Sequence, residues 1–100
     1  GCNLYARLIE TREAVILFCC DDELLGKKLV FKGVEIEIKK ETYGQKKISE
    51  KETIEMLKRA TTANIFGEKS VEIAIKLGLS ESRHVKKIQG IPHLQVYTLG

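Results

Sequence analysis

The chain has one proline, no tryptophan and only six aromatic residues in its hundred. With no proline-, glycine- or serine-rich stretch there is no place for a linker, so a single domain over residues 1–100 is expected. Long apolar segments are also missing. The longest run, Ala14 to Cys20, has seven residues, far short of the ~20 that a membrane helix needs, and no charged-then-apolar leader precedes it. No membrane partner is expected. The three cysteines, Cys2, Cys19 and Cys20, are an odd set with two neighbours, which argues against a disulfide framework and for a reducing, cytoplasmic setting. Acidic residues are absent after Glu81, where Arg83, Lys86 and Lys87 follow.

What is present reads as a globular α+β protein. Apolar residues make up 43% and charged residues 31% of the chain, proportions that support a packed core rather than disorder. Leu4 to Glu10 alternates, with Leu4, Ala6 and Leu8 on one side and Tyr5, Arg7 and Ile9 on the other. This is a strand pattern. Ala14–Cys20 is apolar on both faces and suits a central strand, paired with the first as a hairpin. Asp21-Asp22-Glu23 ends it, and a single helical turn capped by an aspartate is predicted over Glu23–Gly26. Leu29–Phe31, Lys32-Gly33 and Val34–Lys39 read as strand, turn and strand.

Ser49-Glu50-Lys51-Glu52 is a capping box that opens a helix running to about Thr61, with Ile54, Leu57 and Ala60 buried. A break is expected at Thr62-Ala63-Asn64. A second helix follows from Gly67 to Leu77 and stops at Gly78. His84–Leu99 reads as one or two strands interrupted at Gly90-Ile91-Pro92. The predicted architecture is a small mixed or antiparallel sheet packed against two consecutive helices.

Several motifs bear on chemistry. Gly67-Glu68-Lys69-Ser70 leads into a helix, but Glu68 separates the lysine from the glycine, so a nucleotide-binding loop is ruled out. Gly67 at a helix start exposes amides that could hold an anion; the simpler reading is that Asn64 caps the turn and Gly67 permits a tight bend. Two helices across a short break suggest a helix-turn-helix, yet Glu68 and Glu72 at the start of the second would repel phosphate, which argues against DNA. The cysteines and histidines lack zinc-finger spacing, so buried cysteine is the better reading and neither metal nor cofactor is expected. The acidic trio Asp21-Asp22-Glu23 is explained more simply as a helix cap than as a cation site. His93, after the only proline in Gly90-Ile91-Pro92-His93, could move a proton near neutral pH; a hydrogen bond at a strand start is the plainer account.

Taken together, Asp22-Glu23-Leu24-Leu25-Gly26-Lys27, Asn64-Ile65-Phe66-Gly67-Glu68-Lys69-Ser70-Val71 and Gly90-Ile91-Pro92-His93 resemble the archaeal family of domains of unknown function numbered 424. Nearly the whole chain is covered, with Phe66 and Leu94 standing where smaller residues are expected. The resemblance implies an archaeal cytosolic protein with a housekeeping role, translation or RNA metabolism being the first choice, and it assigns no activity.

The leading expectation from the residues is a non-enzymatic RNA- or ribosome-associated module. Eight lysines fall between Lys27 and Lys51, and the nucleic-acid candidates are Lys46, Lys47, Arg83, Lys86 and Lys87, with Tyr43 available to stack. The alternative is a small-ligand or enzymatic site in which Asn64, Glu68 and His93 converge beside Gly67 and Pro92. A third reading is a protein-interaction domain, including self-association through a sheet edge or the C-terminal strand.

Overall fold

A computed structural model of the chain describes residues 3–97. Its strands are β1 (Leu4–Glu10), β2 (Val15–Asp21), β3 (Lys28–Phe31), β4 (Val34–Glu37), β5 (Lys47–Ile48), β6 (Thr62–Phe66), β7 (Lys86–Ile88) and β8 (Ile91–Tyr97). The helices are α1 (Lys40–Tyr43), α2 (Glu50–Arg59) and α3 (Glu68–Lys76). Six strands form one sheet in the order β5-β1-β2-β6-β8-β7, while β3 and β4 pair as a separate hairpin. The fold class is mixed α+β.

The predicted N-terminal hairpin is present, with β1 and β2 paired from Leu4↔Asp21 to Glu10↔Val15. Thr11 closes its turn: the hydroxyl oxygen accepts from the Ala14 amide at 3.0 Å, and the Thr11 amide donates to the Ala14 carbonyl at 2.8 Å. The capping box also forms. Glu52 N donates to Ser49 Oγ at 3.1 Å, and Ser49 N donates to a Glu52 carboxylate oxygen at 3.3 Å.

The segment read as a break, Thr62-Ala63-Asn64, is instead the first part of β6. It lies parallel to β2, Ile16↔Thr62 through Cys20↔Phe66, and antiparallel to β8. The two helices are therefore separated by a central strand, and the helix-turn-helix reading fails. Polar residues fit here because Ala63 and Ile65 carry the burial while Asn64 faces the other way. The second expected strand is also shorter than predicted, ending at Glu37 before the buried Ile38. Helix α1 and the two-residue β5 had no counterpart in the predicted elements.

Each face of the sheet has its own core. Helices α2 and α3 cover Leu4, Leu17, Cys19, Ala63, Ile65, Leu94 and Val96 on one face. On the other, Leu24, Leu29, Ile38 and Tyr43 close over Cys20, Phe66 and Ile88. Tyr43 is buried, edge-on to Phe18 and Phe66, so it offers no ring for stacking on a ligand.

Asp21 ends β2 and makes no side-chain bond to the turn that follows it, contrary to the predicted local cap. Its carboxylate reaches instead to the start of α3. It accepts from Lys69 N at 3.0 Å, Ser70 N at 2.9 Å and Ser70 Oγ at 2.8 Å. A buried carboxylate is tolerable here because two of these donors are unpaired amides of the first helical turn, at the positive end of the helix dipole, and the third is a hydroxyl. Gly67 makes room for it. At φ 108° it adopts a backbone that favours glycine, and a Cβ there would lie 2.3 Å from Asp21 Cγ.

Two outcomes follow in chemical unfolding. Asp21→Ala costs about 2–3 kcal/mol, because a charged, buried acceptor is lost from three donors. Gly67→Ala is also destabilising, but its cost falls by about 1 kcal/mol or more when Asp21 is already alanine, since the methyl then meets no carboxylate. Additivity of the two substitutions would show that the carboxylate does not exclude the side chain.

Candidate functional site

The second core covers only part of its face. Strand register places Tyr5, Cys20, Phe66, His93 and Lys86 in one row across the sheet, and most of that row lies under or beside the hairpin and α1. The next row runs Arg7–Phe18–Asn64–Gln95, and the one after it Ile9–Ile16–Thr62–Tyr97. Arg7 and Gln95 are exposed, Ile9, Ile16, Thr62 and Asn64 are half-buried, and Tyr97 is 70% exposed. This is an uncovered half-sheet with polar, cationic and aromatic side chains side by side.

A groove of about 580 Å³ adjoins it at the outer side of β8, lined by Arg83, His84, Lys86, His93, Gln95 and Tyr97 among others. It exists because β7 pairs with β8 only as far as His93, so Gln95 to Tyr97 have no outer strand in the sheet. Glu81 is the acidic residue in its wall, and it pairs with Arg83. Ser80 Oγ lies 3.3 Å from His84 Nδ1.

His93 is held from two sides. Its Nδ1 is 3.0 Å from the Ile65 carbonyl oxygen, and a carbonyl only accepts, so that nitrogen carries the proton. Its ring stacks on Phe66 with centroids 4.1 Å apart. Burial lowers its pKa below the usual imidazole range and nearby Lys86 adds to that, while the bond to Ile65 opposes them. His93 is therefore neutral at pH 7, with Nε2 left as an acceptor.

The structure brings some of the predicted site residues together and separates others. Asn64 is on a strand rather than capping a turn, and its Oδ1 accepts from Gln95 Nε2 at 2.9 Å. Gly67 N donates to the Pro92 carbonyl at 2.8 Å, and Glu68 and Pro92 line shallow surfaces beside α3. Pro92 and His93 are successive strand residues and point to opposite faces. Asn64, Glu68 and His93 thus do not form one convergent site. At the start of α3, the Lys69 and Ser70 amides are taken by Asp21 and the Gly67 amide by the Pro92 carbonyl.

The lysines divide as well. Lys47 is in β5, within 3.5 Å of Asp22, whereas Lys86 and Lys87 are in β7. These are the two opposite edge strands of the sheet, about five strand spacings or roughly 24 Å apart. Lys46 adjoins β5 and Arg83 the β7 side. Only Arg83 and Lys86 of the five line the groove.

The thiols of Cys19 and Cys20 are buried and their pKa values are pushed up to about 11 and about 12, chiefly by desolvation; they pack as small apolar groups. Cys2 lies outside the described residues. Among those described, no three His, Cys, Asp or Glu side chains gather as metal ligands, and no helix is long and apolar enough to cross a membrane. Sequence reasoning passed over Arg7, Gln95 and Tyr97, and weighed His84 only as a metal ligand. Alternation in β1 already set Arg7 opposite the core-facing Leu4, Ala6 and Leu8, but which part of that face stays uncovered depends on where the hairpin folds.

The family model for DUF424, a protein of unknown function, matches residues 9–99. The chain belongs to this family. A crystal structure of an uncharacterized conserved protein from Methanopyrus kandleri has the same fold, with a TM-score of 0.81 at 26% identity over 96% of this chain and 91% of that one. No curated protein matches. Membership of DUF424 therefore brings a shared architecture and no assigned chemistry.

The lowered pKa of His93 makes a sign-specific expectation. The unfolded chain binds the proton more readily than the folded one, so this residue's contribution to stability is fully present above the ordinary histidine pKa of about 6.5 and is lost as pH falls below it. Between pH 7.5 and 5, the urea midpoint should drop further for the natural protein than for His93→Phe, which keeps the stack on Phe66. Equal drops would show that His93 is not the group responsible.

Proposed function

We propose that this DUF424 protein is a non-enzymatic module that binds single-stranded RNA on the uncovered half of its sheet, in the setting of translation. The observation that carries the reading is the adjacency of that surface to the groove containing Arg83, His84 and Lys86. Single strands are bound by combining a cationic track for the backbone with flat side chains on which unpaired bases stack. Here Lys86 and Arg83 supply charge on one side and Arg7 on the other, with the exposed Tyr97 ring between the groove and the Ile9–Ile16–Thr62 row. The acid-free segment after Glu81 supports the same sign of partner.

The charge is modest, a net +3, so affinity should be low and dependent on salt. With fluorescently labelled single-stranded RNA, log affinity should fall linearly with log salt. The Arg83→Ala/Lys86→Ala variant should flatten the slope by about 1.4, the change expected for two phosphate contacts on a single strand. Lys46→Ala/Lys47→Ala, on the opposite edge, should leave it nearly unchanged. Absence of binding at low salt would sink the reading; equal losses from both pairs would sink this placement of the RNA.

A further inference from the structure

Resting on the single-stranded RNA reading, we infer that Asn64, Gln95 and Tyr97 form a base-reading element for a base edge with two adjacent hydrogen-bond acceptors, guanine O6/N7 or cytosine O2/N3. The three side chains belong to neighbouring strands on the uncovered face, Asn64 and Gln95 being a direct cross-strand pair. Gln95 Nε2 donates to Asn64 Oδ1 at 2.9 Å, and Tyr97 Oη donates to Gln95 Oε1 at 3.4 Å. Each amide oxygen thereby accepts one hydrogen bond within the chain.

What the two amides retain in excess is donors: the two Asn64 Nδ2 hydrogens and the second hydrogen on Gln95 Nε2, against one lone pair left on each oxygen. A pair of neighbouring donors complements a pair of neighbouring acceptors. Guanine offers N7 and O6, whereas adenine offers N7 beside an amino donor that would oppose one of the amides. Cytosine presents two adjacent acceptors on its pairing edge; the two acceptors of uracil flank a donor. The Tyr97 hydroxyl donates to Gln95 Oε1 in the orientation that turns Nε2 toward Asn64, and Phe18, the β2 partner of Asn64, provides an apolar flank.

The reading of a base is distinct from attraction to phosphate, and the two can be tested separately. Binding is measured to a short uridine-rich strand with one central position varied among guanine, cytosine, adenine and uracil. Guanine or cytosine should bind about tenfold more tightly than adenine or uracil, the discrimination typical of one bidentate contact. Replacing guanine with 7-deazaguanine, which lacks the N7 acceptor, should abolish a guanine preference and leave a cytosine preference intact, so it tells the two bases apart. Gln95→Ala, at an exposed position that folding tolerates, should level all four strands while leaving the salt slope unchanged, and Asn64→Ala should do the same. Tyr97→Phe should weaken the discrimination while retaining the stacking ring. Binding without base preference, or a preference that survives Gln95→Ala, would overturn the inference and leave the RNA reading standing. No binding to any strand would remove both.

Discussion

The fold depends on one carboxylate. Asp21, at the end of a central strand, occupies the start of α3 and binds two amides and a hydroxyl there. That contact joins β2 to the β6–α3 turn and so fixes the parallel pair at the heart of the sheet. Gly67 is required beside it because any side chain would occupy the volume of the carboxylate. The same arrangement removes a functional option. A helix start that resembles an anion site is filled by the protein's own anion, which supplies the complementary charge at the dipole.

With the α3 side closed, chemistry is left to the opposite face. The crossover from β2 to β6 contains the β3–β4 hairpin, α1, β5 and α2, but only the hairpin, α1 and the turn after β2 pack on that face. They are too small to cover a sheet of six strands. The rows nearest the hairpin become core, with Phe66 under Tyr43 and His93 stacked at its margin. The remaining rows hold side chains that tolerate water and can bind polar partners. Burial and availability on this face are two consequences of the hairpin's limited size.

Charge and hydrogen-bonding capacity are also placed differently. Arg83 and Lys86 lie at the groove outside β8 and Arg7 on β1, while the amide chain runs from Gln95 at the groove to Asn64 further into the sheet. A flexible polyanion could use both at once, its backbone following the edge and a base lying across the strands. Family membership does not select among functions, since one fold hosts many; the side chains on this face carry the argument.

Local patterns were legible in the residues: alternation for the β1–β2 hairpin, Ser49 and Glu52 for the start of α2, and glycine at the boundaries of α3. Each depends on neighbours a few positions away, and short-range sterics and hydrogen bonding suffice to set them. Strand β6 was not legible, because Thr62-Ala63-Asn64 looks like a loop until Asn64 is seen bonded to Gln95, 31 positions along the chain. The role of Asp21 was hidden for the same reason, its partners lying 48 and 49 positions away. Likewise, lysines that look like one basic region in the residue order occupy opposite edges once β5 and β7 take their places. The sequence alone determined the α+β class, the β1–β2 hairpin, the capped start of α2, the glycine-bounded α3 and the DUF424 resemblance. Only the tertiary structure decided which side chains share a surface, because strand pairing joins distant segments and the small β3–β4 cover leaves part of one face open.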